Sequence, residues 1–182
     1  MKKTKDTHLE LEIPQGTSIE VEKNRVSVSG PKGKFTREFN PRVKIDKKDN
    51  RVVLKTKSAR RADKALLCTI RTHIKNMFHG VSDGITYKLK IVYTHFPMSP
   101  KAQGSELVID NFMGEKFPRR AAILNGVKVE VKGRDVLVTG ISKEDVAQTA
   151  ANIEQTTRIK DRDHRVFQDG IYLVEKDGVP IA

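Results

Sequence analysis

Between positions 158 and 172 the chain sets Arg158, Lys160, Arg162, His164 and Arg165 within one short run and follows them with Phe167, Gly170 and Tyr172. A guanidinium is a planar fork that pairs bidentately with phosphate, and an ammonium adds a compact point charge. Phe167 and Tyr172 offer faces on which an unpaired base or a sugar can rest. Gly170, lacking a side chain, lets backbone approach a ligand closely. This is the chemistry of holding a polyanion. Two further stretches have a related character: the loop 95–104, with Lys101 and two prolines, and the run Lys116-Phe117-Pro118-Arg119-Arg120. Prolines stiffen such loops and lower the entropy lost on binding.

Catalysis needs convergent groups, and the sequence does not supply them. None of His8, His73, His79, His95 and His164 has a second His or Cys at metal-ligand spacing, so no metal is expected. No glycine-rich run precedes a Gly-Lys-Ser or Gly-Lys-Thr, which excludes a P-loop. Cys68 has His73 five residues later but no third group to orient the pair, and is expected to be a small buried helix residue. Asp161 and Asp163 flank Arg162 and read as charge balance within the basic arm. The expectation is a protein without enzymatic activity, cofactor or small-molecule substrate.

The elements that must position these residues are short strands and two helices. Leu9–Ile13, Ile19–Val21, Val26–Gly30, Phe35–Phe39, Val43–Ile45 and Arg51–Lys55 alternate apolar and polar residues between turn signals, which predicts antiparallel sheet with one wet face. From Ser58, a candidate N-cap, the period changes. Ala62, Leu66, Ile70, Ile74, Met77 and Val81 form one helical stripe, with Arg60, Arg61, Lys64, Arg71 and Lys75 on the opposite face. After a break at Ser82-Asp83-Gly84 the scheme returns. Tyr87–Tyr93 alternates, residues 95–104 form a loop, and Glu106–Ile109 and Ala121–Leu124 are short strands. Val127–Val131 and Asp135–Thr139 make a hairpin, and a helix capped by Ser142 and Asp145 runs to about Thr157.

A shift of 84 residues places Val43-Lys44-Ile45 on Val127-Lys128-Val129, Val52-Val53-Leu54 on Val136-Leu137-Val138, and Ser58 on Ser142. A hairpin followed by a capped helix thus occurs twice. The fold class is α+β, with two tandem duplicated domains at 1–82 and 83–182, each a small, mostly antiparallel sheet packed on one helix. The basic arm has no upstream copy.

Charge points the same way as the arm. Across 182 residues, 35 Lys and Arg stand against 23 Asp and Glu, a net of +12, with a pI near 9.8. Such an excess fits nucleic acid or an acidic membrane surface. Residues 1–82 hold 20 basic and 9 acidic side chains, whereas residues 83–182 hold 15 and 14. Bulk charge therefore favours the first domain and local clustering the second, and both can face nucleic acid. No stretch is long and apolar enough to span a bilayer. A lone cysteine excludes an internal disulfide, and the basic start lacks the apolar run of a secretory signal. A cytoplasmic location follows as the expectation.

The runs YTHFPMS (93–99), DNFMGEKFPRR (110–120), VTGISKEDVAQTAANIEQTTRI (138–159) and FQDGIYL (167–173) closely resemble the large-subunit ribosomal protein six family of archaeal and eukaryotic type, and the likeness covers nearly the whole chain. The resemblance implies a non-catalytic structural protein that binds large-subunit ribosomal RNA near the stalk base and factor-binding region, beside neighbouring ribosomal proteins, in the cytoplasm. A free-standing nucleic-acid-binding module outside the ribosome is the alternative. Carried onto matching positions, the implied RNA contacts are His95, Phe96, Ser99 and Lys101 in the 95–104 loop, then Lys116, Arg119 and Arg120. They continue along the arm through Arg158, Lys160, Arg162, His164, Arg165, Phe167, Gly170 and Tyr172. Bacterial relatives are rich in lysine and glycine where this chain has 167–172, and Asp169 is expected to oppose phosphate there.

Overall fold

The computed structural model describes residues 7–56, 60–163 and 165–181. The chain divides into two compact units, Met1–Gly84 and Ile85–Ala182. In the first, β1 (Thr7–Glu12), β6 (Arg51–Thr56) and β5 (Val43–Lys48) form one three-stranded antiparallel sheet in that order. A second sheet has the order β2 (Ser18–Glu22), β3 (Arg25–Gly30), β4 (Gly33–Glu38). Alternation fixes which face is buried: Val26 and Val28 are fully enclosed, as are Val52 and Leu54. Helix α1 (Arg61–Ser82) lies against β1, β3, β4 and β6. It comes close at Gly30, where a Cβ would sit 2.8 Å from the carbonyl oxygen of Val81.

Three expectations about α1 change. Ser58 lies outside the described residues, and the residue preceding the helix is Arg60, without a side-chain cap. The buried face is Leu67, Ile70, Ile74, Met77, Phe78 and Val81, while Ala62 is exposed and Leu66 only partly covered. Each step of four residues turns about 40° past a full revolution, so a stripe extrapolated backward from Ile74 in fours leaves the core. Cys68, expected in the core, is exposed, because two residues before Ile70 is about 200° around the helix from the buried face.

The second unit repeats the hairpin at the expected shift: β11 (Val127–Lys132) and β12 (Asp135–Gly140) correspond to β5 and β6 residue for residue. Its main sheet has five strands, in the order β11, β12, β7 (Ile85–Val92), β13 (Gly170–Lys176), β14 (Val179–Pro180). A smaller sheet comprises β10 (Arg119–Ala122), β9 (Glu106–Asp110) and β8 (Ser99–Gln103). Helix α2 (Lys143–Thr156) packs on both, and Val146, Ala150 and Ile153 join Leu89, Val136, Val138, Leu107 and Ile171 in one core. Ser142 caps it as expected, its hydroxyl accepting the Asp145 N–H at 3.3 Å.

Here the loop and arm boundaries move. Residues 99–103 of the expected loop are strand β8, and Arg119 and Arg120 lie on β10 rather than in a loop. The end of the expected arm is β13, paired antiparallel with β7 over Gly170–Lys176. The unduplicated segment thus completes the sheet along an edge of β7 that has no counterpart beside β1 among the described residues, where β1 is an edge strand.

Candidate nucleic-acid interface

Asp169 is the residue on which the site turns. It is fully buried, and its carboxylate accepts the backbone N–H of Thr94 at 2.8 Å, of Phe96 at 3.3 Å and of His95 at 3.4 Å. The His95 ring nitrogen Nδ1 stands 3.8 Å away. Three converging donors are what a buried carboxylate needs. The expectation that Asp169 opposes phosphate is therefore corrected: it faces inward and fastens residues 94–96 to the start of β13.

Two more ties complete a ring of segments. Asn111 donates from Nδ2 to the Pro97 carbonyl at 3.0 Å. The Phe96 ring covers Gly114, where φ is 74° and a Cβ would sit 3.1 Å from that ring, a left-handed and crowded position that favours glycine. Arg119 holds Glu115 through two nitrogens, Nε at 2.8 Å, and donates from Nη1 to the carbonyls of Thr156 (2.7 Å) and Arg158 (3.1 Å). Its guanidinium also lies 4.1 Å from the centroid of Phe112. Glu115 is kept below the usual carboxylate range chiefly by the hydrogen bond from Arg119, which outweighs the opposing effect of burial, with that cation's charge adding to it. Residues 94–98, the 3-10 turn Phe112–Gly114 with its exit, and the arm are thereby knitted to one another.

Within the ring the candidates separate by what already occupies them. Arg119 is committed to protein. Arg120 pairs with Glu106 at 3.3 Å and Lys101 approaches Asp110 at 3.9 Å; both stand opposite Val108, on the outer face of the small sheet. Arg162 lies 4.9 Å over the Phe167 ring, and the His95 ring packs against Phe167 at 5.0 Å with the planes tilted by 38°. Lys116, Arg158, Lys160 and Arg165 are exposed, and their side chains make no ion pair or hydrogen bond among the described residues. Ser99 is exposed at the head of β8, and His164 lies outside the described residues.

Gly170 and Tyr172 differ from expectation. Gly170 is buried, and a Cβ there would lie 2.9 Å from the Tyr172 ring, so its open side is filled by tyrosine rather than left for a ligand. Tyr172 donates its hydroxyl to the Gln168 carbonyl at 3.2 Å, and burial, then the nearby Asp169 and Glu154 charges, push the phenol above its usual range. Phe117 is 84% exposed between Lys116 and Pro118, the most exposed large apolar side chain among the described residues. Sequence reasoning takes it only as part of a basic run and so misses a ring free for stacking. No group of three or more His, Cys, Asp and Glu that could hold a metal ion occurs among the described residues. The His73 ring accepts from Arg37 at 3.2 Å, which turns it to β4 rather than to Cys68.

The Ribosomal protein L6 family model matches residues 13–84 and 96–170, one segment in each unit. The large ribosomal subunit protein uL6 of Methanobrevibacter smithii is 51% identical over 169 residues, 92% of this chain and 95% of that protein. Those of Methanosarcina mazei (50% identical; 91% and 95% covered) and Aeropyrum pernix (49%; 95% and 97%) are similar over nearly the same span.

Proposed function

Because the chain belongs to the ribosomal protein L6 family, we propose that it is a non-catalytic component of the large ribosomal subunit, binding large-subunit ribosomal RNA at the stalk base and factor-binding region beside neighbouring ribosomal proteins. The relatives' names support the assembly, and a cytoplasmic location goes with it. One observation carries the RNA reading: three segments that are separate in sequence are fastened into one patch, whose core holds Asp169 and Arg119 and whose outside bears unpaired cations. Asp169 and Arg119 are positioning residues. Lys116, Arg158, Lys160 and Arg165 meet phosphates, with Arg162 and His164 beside them. His95, Phe96 and Phe117, all exposed, offer faces to unpaired bases or riboses, while Phe167, partly buried, supports Arg162 and His95. Ser99, Lys101 and Arg120 extend the patch across the small sheet, and Gly170 and Tyr172 support it from β13.

Replacing Arg158, Lys160 and Arg162 together by Ala tests this. Binding to large-subunit RNA should weaken, and the log–log dependence of affinity on salt should flatten by about 0.7–0.9 for each phosphate no longer neutralised. An unchanged affinity and slope would remove the arm from the interface.

A further inference from the structure

We infer that the exposed face of α1 is a second polyanion surface, which grips the phosphodiester backbone of double-stranded RNA without reading sequence. Arg61, Lys64, Arg71 and Lys75 recur at steps of three, seven and four, which sets them in one row along the helix, with Cys68 filling the gap. All are exposed, and the row spans about 21 Å. None of the four cations makes an ion pair or side-chain hydrogen bond among the described residues. The nearby sheet carboxylates are engaged elsewhere: Glu10 and Glu12 by Arg51, Glu20 by Lys34, Glu38 by Arg25. Asp63 is the one acid within the helix.

The scaffold does not ask for this row. Like charges three and four apart on a helix repel one another and destabilise it. Helix α2, occupying the same place in the duplicated scheme, has Lys143 as its single Lys or Arg against Glu144, Asp145 and Glu154. Its outer side shows Glu144, Gln148 and Gln155 instead. The basic row is therefore an addition to one copy.

The chemistry of that face selects the partner. Every large apolar side chain found exposed among the described residues belongs to the second unit: Phe96, Phe117, Val166, Tyr172, Val179 and Ile181. An acidic protein would need an apolar anchor at the centre of its interface, whereas nucleic-acid interfaces are polar and strongly positive. No aromatic ring lies on the row, which disfavours single strands, since these are held by base stacking. Thr69 and Thr72 turn their hydroxyl hydrogens to the carbonyls of Ala65 and Cys68, both at 3.0 Å, so the outward donors are the cations alone. Backbone contact to a duplex is what remains.

The test uses the full chain and a poly(A)·poly(U) duplex as probe. Lys64→Glu/Arg71→Glu/Lys75→Glu is compared with the milder Gln set at the same positions, with helical circular dichroism confirming the fold. Both sets should flatten the log–log salt slope, by about two to three when three phosphates are released, and polyglutamate should compete poorly for the wild-type chain. Unchanged slopes in the folded Gln set overturn the proposal. So does polyglutamate competing as well as RNA, which would assign the face to an acidic protein. The arm variant measured alongside separates this surface from the one above: a loss confined to the arm variant overturns the α1 row and leaves the arm standing.

Discussion

Asp169 shows how far a residue's type can mislead about its part. A carboxylate in a basic arm reads as repulsion toward phosphate, yet burial and three backbone donors make it the fastening of residues 94–96. Asp169→Ala would leave those donors to water, and we expect a loss of about 1–3 kcal/mol in unfolding free energy, read from the urea midpoint. Asp169→Asn, which keeps an acceptor, should fall between the two. A variant within about 0.5 kcal/mol of wild type would show that the loop holds itself. Residue type pointed to the cations and to Phe96 and Phe167, but not to the Phe117 ring. It could not show that Arg119, alike in kind to Arg120, spends its donors on the Thr156 and Arg158 carbonyls, because such acceptors have no sequence signature.

At the scale of elements, strict alternation made most strands legible, and the hairpin repeat was visible because its apolar residues recur at one shift. Strand β13 was not. Gly170–Lys176 follows a charged run, and its register slips between Leu173 and Glu175, which blurs the period of two. The 115–119 turn carries a pH dependence. Glu115 is depressed in the folded chain by Arg119, so the stability it adds is present above the ordinary carboxylate pKa and is lost as pH falls through the lower folded value. Glu115→Gln should be less stable at neutral pH, by under about 1 kcal/mol because the pair is partly solvated. The gap to wild type should close on acidification in pH-dependent melting. A gap constant down to pH ~2 would contradict the assignment.

For the molecule as a whole, duplication supplied two copies of one scaffold and the copies then diverged in charge. Residues 1–84 carry 20 basic and 10 acidic side chains, residues 85–182 carry 15 and 13. The excess sits in one unit and the knitted patch in the other, so net charge and local clustering of cations have different addresses. Combining the α1 and arm substitutions should therefore add their reductions in salt slope on poly(A)·poly(U), since counterion release scales with the number of phosphates neutralised. A combined change smaller than the larger single change would mean that the two surfaces serve the same phosphates. The two-unit plan was legible from the shift of 84. So were the unequal helices: the stripe from Ala62 to Val81 and the capped run from Ser142 to about Thr157 anticipate α1, of 22 residues, and α2, of 14.

The pairing of β7 with β13 also sets a timetable for synthesis. The described helix and strands of the first unit are complete once Ser82 has been made, whereas β7, finished at Val92, waits for a neighbour that ends at Lys176. Throughout that interval one side of a central strand presents bare amides and carbonyls, the kind of edge that other chains can join. A chain cut short before Gly170 would keep that edge open. The final strands thus close an edge that stays open until nearly the whole second unit has been made.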